Sequence, residues 1–240
     1  MLRKLMVIAV CCVWANLGHA EMTTLKTAYG TQFNAYVVGP DDATSGVVLA
    51  HDRWGMSDEI KKWADRLARD GHLVVVADLY DGRPIRDELM TREVMAQTDP
   101  EWARANLNGA LSFLKSGSHR VAVVGWGYGA GFLYQIAAER GAEIDALVAF
   151  YALPSGKQFD LSGIEVPMLG VFGRRDKILD VARVDDFQHQ MLKLRKSLEV
   201  VTVEASSGFV NPLNDSYRAG ISTRAWLATQ SFLARHIAGE

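Results

Sequence analysis

Six short, near-continuous apolar runs rich in β-branched residues recur along this chain, and they restrict its architecture more than any other feature. They are residues 46–50 (GVVLA), 73–77 (LVVVA), 121–124 (VAVV), 146–151 (ALVAFY), 168–172 (MLGVF) and 198–203 (LEVVTV). A strand with one wet face alternates apolar and polar residues, whereas a strand covered on both faces reads as an unbroken apolar run. Between the runs, residues 58–70, 100–116, 129–141, 181–194 and 217–237 carry apolar positions three or four apart, the spacing of helices with one buried face. Strand and helix in alternation predict an α/β fold with a mostly parallel sheet covered by helices on both sides. Residues 25–38 read as an antiparallel hairpin with Gly30 in its turn. Residues 81–84 (DGRP) read as a loop, and 86–97, free of Gly and Pro, as a short helix.

The N-terminus has a different character. Arg3 and Lys4 precede an apolar run from Leu5 to Trp14, and a short polar stretch ends in Gly18-His19-Ala20. This is the pattern of a secretory signal peptide, residues 1–20, cleaved before Glu21, since the run is too short to span a bilayer. Cys11 and Cys12 lie inside the run, which does not suit lipidation. The expectation is a periplasmic or secreted protein of residues 21–240, one α/β domain, with no stable membrane anchor once cleaved. Both cysteines of the chain leave with the leader, so neither a disulfide, a cysteine nucleophile nor a thiolate metal site is expected. The remaining chain has 24 basic against 28 acidic residues, a formal charge of −4. Mild acidity argues against nucleic acid as a partner.

Parallel open sheets place their sites at the carboxyl ends of the strands. Residues 121–131, VAVVGWGYGAG, leave a strand through Gly125-Trp126-Gly127-Tyr128-Gly129 and enter a helix. That is the form of a nucleophile elbow, whose flanking glycines permit a sharp turn that exposes the central residue. The central residue here is Gly127, and no Gly-x-Ser-x-Gly follows any strand. Other strand ends carry His51-Asp52-Arg53-Trp54-Gly55, Ala77-Asp78-Leu79-Tyr80 and, before the last helix, Gly208-Phe209-Val210-Asn211-Pro212.

With these four motifs in this order, the chain from about Leu25 onward resembles the dienelactone hydrolase family of α/β-hydrolases. The resemblance implies a nucleophile at the elbow, written G-W-C-F-G-G or G-W-S-x-G-G in the family, an aspartate and a histidine. Carried over by position, these are Gly127, Asp176 and Ser207. Asp176 follows the strand at 168–172, where the family has its aspartate. Ser207 stands in Ala205-Ser206-Ser207-Gly208-Phe209, where the family commonly reads A-x-H-G-F. Glycine cannot form an acyl intermediate and serine is a poor general base, so the family's covalent route is not expected. Glycine at the elbow also relieves about 1 kcal/mol or more of backbone strain.

What the resemblance leaves intact is a pocket. The family's oxyanion donors map to the backbone amides of Tyr128 and Arg53, and the start of the helix near Tyr128 adds positive potential. Asp52 takes the place of the family's pocket glutamate and reads equally as a substrate- or water-positioning carboxylate or as a salt-bridge partner of Arg53 or Arg83. Arg83 lies near where the family binds a substrate carboxylate, and Asn211 falls where certain members carry a second arginine. Trp54, Tyr80, Tyr128, Trp126 and Phe209 offer aromatic surface to the mouth, with Trp126 and Phe209 reading as well as packing beneath it. His51 reads more readily as part of the strand end than as a catalytic base, and His72, His119, His189 and His236 read as solvated. No histidine pair has metal-ligand spacing, and neither a metal nor a cofactor is expected.

Three readings stay open at this point. The first is a noncatalytic protein binding a small anionic or aromatic ligand. The second is an enzyme with a rebuilt, non-covalent site using Asp52 or His51 on esters or lactones. The third is an interaction role with a vestigial pocket. The sequence does not name a protein partner.

Overall fold

A computed structural model describes residues 20–83, 85–117, 119–154 and 160–238. Of the expected leader only Ala20 falls among them, and Pro84, expected in a loop, falls outside them. Eight strands form one sheet in the order β1-β2-β4-β3-β5-β6-β7-β8. The strands are β1 (Glu21–Lys26), β2 (Gln32–Val38), β3 (Ser45–Ala50), β4 (Leu73–Ala77), β5 (Arg120–Trp126), β6 (Ala146–Phe150), β7 (Met168–Gly173) and β8 (Leu198–Val203). The β1–β2 and β2–β4 pairs are antiparallel, and the other five are parallel. All six apolar runs are strands of the parallel part. The N-terminal hairpin starts four residues earlier than its sequence pattern, because Glu21 to Thr24 gain partners from Asn34 to Val37 although they bury little.

The helices are α1 (Asp58–Arg69), α2 (Glu88–Gln97), α3 (Pro100–Ser116), α4 (Tyr128–Arg140), α5 (Val181–Lys193) and α6 (Ala219–Ile237). Several starts are set by local chemistry. Asp87 accepts from the Met90 amide, Asp99 from the Glu101 amide just ahead of Pro100, and Asp180 from the Arg183 amide. Each carboxylate satisfies a backbone donor that the first turn leaves open.

The sheet separates two apolar cores. On one side Leu107, Leu111, Leu114, Leu133, Tyr134 and Phe187 pack on Val48, Val75 and Val123. On the other, Trp63, Leu67, Trp226, Phe232 and Leu233 of α1 and α6 pack on Leu49, Val76, Val124 and Phe150. Odd and even residues of each central strand thus serve opposite cores, the physical basis of the unbroken apolar runs. His72 and His119, expected to be solvated, are buried. His72 Nδ1 lies 2.6 Å from the Ser45 hydroxyl, and His119 Nδ1 lies 2.7 Å from the Leu114 carbonyl. Both follow helix ends and fold back to satisfy polar groups there. Among the described residues no helix is long and apolar enough to cross a membrane.

Candidate functional site

The carboxyl ends of β3, β5, β6, β7 and β8 meet above the middle of the sheet. At the end of β5 the chain turns through Gly127, φ 45° and ψ −105°, and enters α4. The turn brings α4 so close to β3 that a Cβ on Gly129 would lie 2.4 Å from the His51 carbonyl oxygen and 2.6 Å from Ala50. A glycine at 129 is thus a condition of the elbow. At 127 the requirement is conformational, because a Cβ there would meet only the Tyr151 ring, at 3.4 and 3.5 Å. The sharp elbow turn persists with no side chain at its tip.

Asp176 is buried beyond the end of β7. Its Oδ1 accepts from the Ile178 and Leu179 amides at 2.8 and 3.0 Å, and its Oδ2 accepts a short hydrogen bond from the Ser207 hydroxyl. Two of the three positions carried over from the family are therefore in contact, joined by serine where the family has histidine. Gly127 and Ser207 line one open mouth of about 240 Å³, together with Asp52, Arg53, Met95, Tyr128, Tyr151, Gly208 and Asn214. Neither the Arg53 amide nor the Tyr128 amide is donated to another backbone carbonyl or side chain among the described residues.

Asp52 forms neither of the salt bridges weighed for it. Its Oδ1 accepts from the Trp54 amide at 2.9 Å and its Oδ2 from Asn211 Nδ2 at 3.0 Å. Arg53 instead reaches Glu88 at 2.8 Å and Asn214 at 2.9 Å, while Arg83 binds the Tyr80 carbonyl, Gln97 and Thr98. Burial raises the proton affinity of the Asp52 carboxyl above the usual aspartate range, against the opposing pull of the Asn211 and Trp54 hydrogen bonds and of the Arg53 charge.

His51 is fully buried, with both ring nitrogens committed. Nε2 accepts from the Leu79 amide at 3.0 Å, so the proton sits on Nδ1 and is donated to the Asp52 carbonyl at 2.8 Å. Burial lowers its pKa, which keeps the ring neutral, and no nitrogen is left to face the mouth.

Of the residues singled out from sequence for ligand contact, Arg53 and Tyr128 line the mouth, whereas Trp54, Tyr80, Arg83 and Trp126 do not. Trp54 lies against the Arg53 guanidinium and donates its indole N–H to Asn214 at 3.2 Å. Tyr80 is 1% exposed, edge-on to His51. Trp126 turns into the α1/α6 core, stacked on Phe150. Phe209 is likewise fully buried, packed edge-on to Tyr151.

Met95, Tyr151 and Asn214 were not singled out. Tyr151 is the most informative of them: it follows β6, holds φ 39° despite its side chain, and sets its ring beside Gly127. Burial, reinforced by the Asp52 charge, pushes its phenol well above the usual value, so it stays a hydrogen-bond donor. The sequence marks it only as the polar-tipped end of an apolar strand. Among the described residues no cluster of three or more His, Asp or Glu side chains is arranged to hold a metal.

Residues 33–237 match the model of the dienelactone hydrolase family. The chain belongs to that family. Among similar sequences is Protein usf of Aquifex pyrophilus, 25% identical over 222 residues that cover 87% of this chain and 95% of the relative. Among similar structures, a dienelactone hydrolase-like promiscuous phosphotriesterase from metagenomic libraries superposes with a TM-score of 0.78 at 21% identity, covering 92% of this chain and 100% of the other. Dienelactone hydrolase from Anabaena variabilis gives a TM-score of 0.71 at 20% identity, covering 92% and 99%. This family member keeps the eight-stranded mostly parallel sheet of the α/β-hydrolase fold, and its elbow tip is Gly127.

Proposed function

We propose that this chain is an exported, noncatalytic member of the dienelactone hydrolase family that holds a small ligand in the mouth above Gly127. One observation carries the reading: the elbow keeps its sharp turn while its tip has no side chain, and the serine at the histidine position spends its hydroxyl on Asp176. With neither nucleophile nor imidazole, acyl transfer has no first step. The mouth nevertheless offers about 240 Å³ and the unpaired Arg53 and Tyr128 amides. Those donors suit a small ligand with a carbonyl or carboxylate group, and the rings of Tyr128 and Tyr151 suit a flat one. An open mouth of this size weighs against a vestigial pocket. Export is supported by Arg3, Lys4, the apolar run to Trp14 and the small residues Gly18 and Ala20.

A second reading rests on Asp52, whose raised proton affinity and place in the mouth suit a general base acting on water without a covalent intermediate. His51 has no free nitrogen for that task. The test is hydrolysis of p-nitrophenyl acetate and a dienelactone by the unmodified protein beside Gly127→Ser with Ser207→His, with calorimetric titration of small carboxylates and aromatic acids. Binding without turnover, and activity gained by the double substitution, is the expected result. Turnover by the unmodified protein that disappears in Asp52→Ala overturns it in favour of the second reading.

A further inference from the structure

Behind the mouth lies a second, much smaller cavity of about 20 Å³, walled by Asp52, Ser57, Glu59, Ile60, Trp63, Trp126, Tyr151, Val210 and Asn211. Its volume admits one water-sized group. Asp52 and Tyr151 are common to the linings of the cavity and the mouth. Two side chains of the inner wall are more than nine-tenths buried and lack any protein partner at their polar atoms: the Trp126 indole N–H and the Tyr151 hydroxyl. A buried donor left unbonded is strongly disfavoured, and two at one small cavity are not an accident of packing.

Of Asp52, Ser57, Glu59 and Asn211, the other polar residues of this lining, Asp52 alone also lines the mouth, and its carboxylate is the acceptor at hand. Each of its oxygens already accepts one hydrogen bond, from the Trp54 amide and from Asn211, and each keeps capacity for another. Tyr151 lies near enough for the Asp52 charge to act on its phenol, yet the two form no direct hydrogen bond. We infer that an ordered water occupies this cavity, accepting from Trp126 Nε1–H and from the Tyr151 hydroxyl and donating to the Asp52 carboxylate. Two donors and one acceptor complement the two lone pairs and the hydrogens of a single water, within the usual two to four bonds of an internal site. An acid or amide would not fit the volume.

The site has a consequence for the mouth. Trp126 does not line the mouth, but through the water it reaches Asp52, which does.

The test is made on the whole protein. Water-to-protein magnetisation transfer measured by NMR should give a cross-peak at the Trp126 indole N–H, assigned by its loss in Trp126→Phe, and a crystal structure that shows ordered water should place an oxygen within hydrogen-bond distance of all three groups. In Tyr151→Phe the cross-peak should weaken by half or more. A dry indole in the unmodified protein overturns the inference, without need of any variant. So does a cross-peak unchanged in Tyr151→Phe, which would remove one of the three holding groups.

Discussion

The hydroxyl of Ser207 is donated to the Asp176 carboxylate, in a loop where the same carboxylate also gathers the amides of Ile178 and Leu179. The two amide bonds close the turn after β7, and the Ser207 bond ties that turn to the segment after β8. Because Ser207 is exposed, water can take its place once the hydroxyl is gone. Ser207→Ala should therefore destabilise the protein by about 1 kcal/mol or less, read as a small fall in the urea midpoint. A loss of several kcal/mol would mean that the bond closes the whole end of the sheet.

At Gly129 the expectation is far more severe. A methyl group would be driven to 2.4 Å from the His51 carbonyl oxygen, and neither backbone can retreat without separating α4 from β3. Gly129→Ala should cost about 3 kcal/mol or more, at the upper end for overpacking, and its thermal midpoint is the measurement. Gly127→Ala meets only ordinary contact with Tyr151 and carries a conformational penalty of about 1–3 kcal/mol. The order of the two variants is the sharper check: 129 should exceed 127.

Asp52 and His51, adjacent in sequence, should push stability in opposite directions with pH. Burial raises the Asp52 pKa, so the folded state binds its proton more tightly than the unfolded chain does. Its contribution is then least favourable above the folded pKa and improves as pH falls toward the ordinary value of 3.8. Asp52→Asn should accordingly gain most, relative to the unmodified protein, at neutral pH, and the difference should shrink at acid pH. Thermal midpoints of the two proteins across pH decide it, and a constant difference would refute the assignment.

For His51 and His72 the folded-state pKa is lowered by burial, so the unfolded chain takes up protons that the folded one refuses. Their contribution is fully present above the ordinary value of 6.5 and is lost as pH falls below it toward their folded-state values. Nitrogen NMR should find His51 as the Nδ1–H tautomer, given its acceptance from Leu79, and still neutral at pH 6. A protonated His51 at that pH would contradict the bonding.

The sheet and the elbow were legible because they rest on short-range rules. Unbroken apolar runs such as Val121 to Val124 report burial on both faces, and glycines at 125, 127 and 129 report a tight turn before a helix. Asp52, Tyr128 and Ser207 were legible from their strand ends. Tyr151 was not, because its positive φ is imposed by neighbours distant in sequence, including the Val171 carbonyl that accepts its amide and the Phe209 ring against which it packs. Asn214 was missed for a similar reason: it gains its place by accepting from Arg53 and Trp54, some 160 residues earlier. The aromatic mouth expected from Trp54, Tyr80 and Trp126 failed because apolar area and cation contact won those rings for the interior and the rim.

Gly127 and Tyr151 give this fold an asymmetric mutational terrain. At 127 the residue already occupies the low point for its backbone angles, so every replacement is uphill by about 1–3 kcal/mol, a large share of the few kcal/mol by which a domain of this size exceeds its unfolding threshold. At 151 the backbone alone would improve with glycine, but the ring that would be lost packs on Phe150 and Phe209. Drift can thus remove a side chain from the elbow and is resisted from restoring it, while it is held in place one strand away.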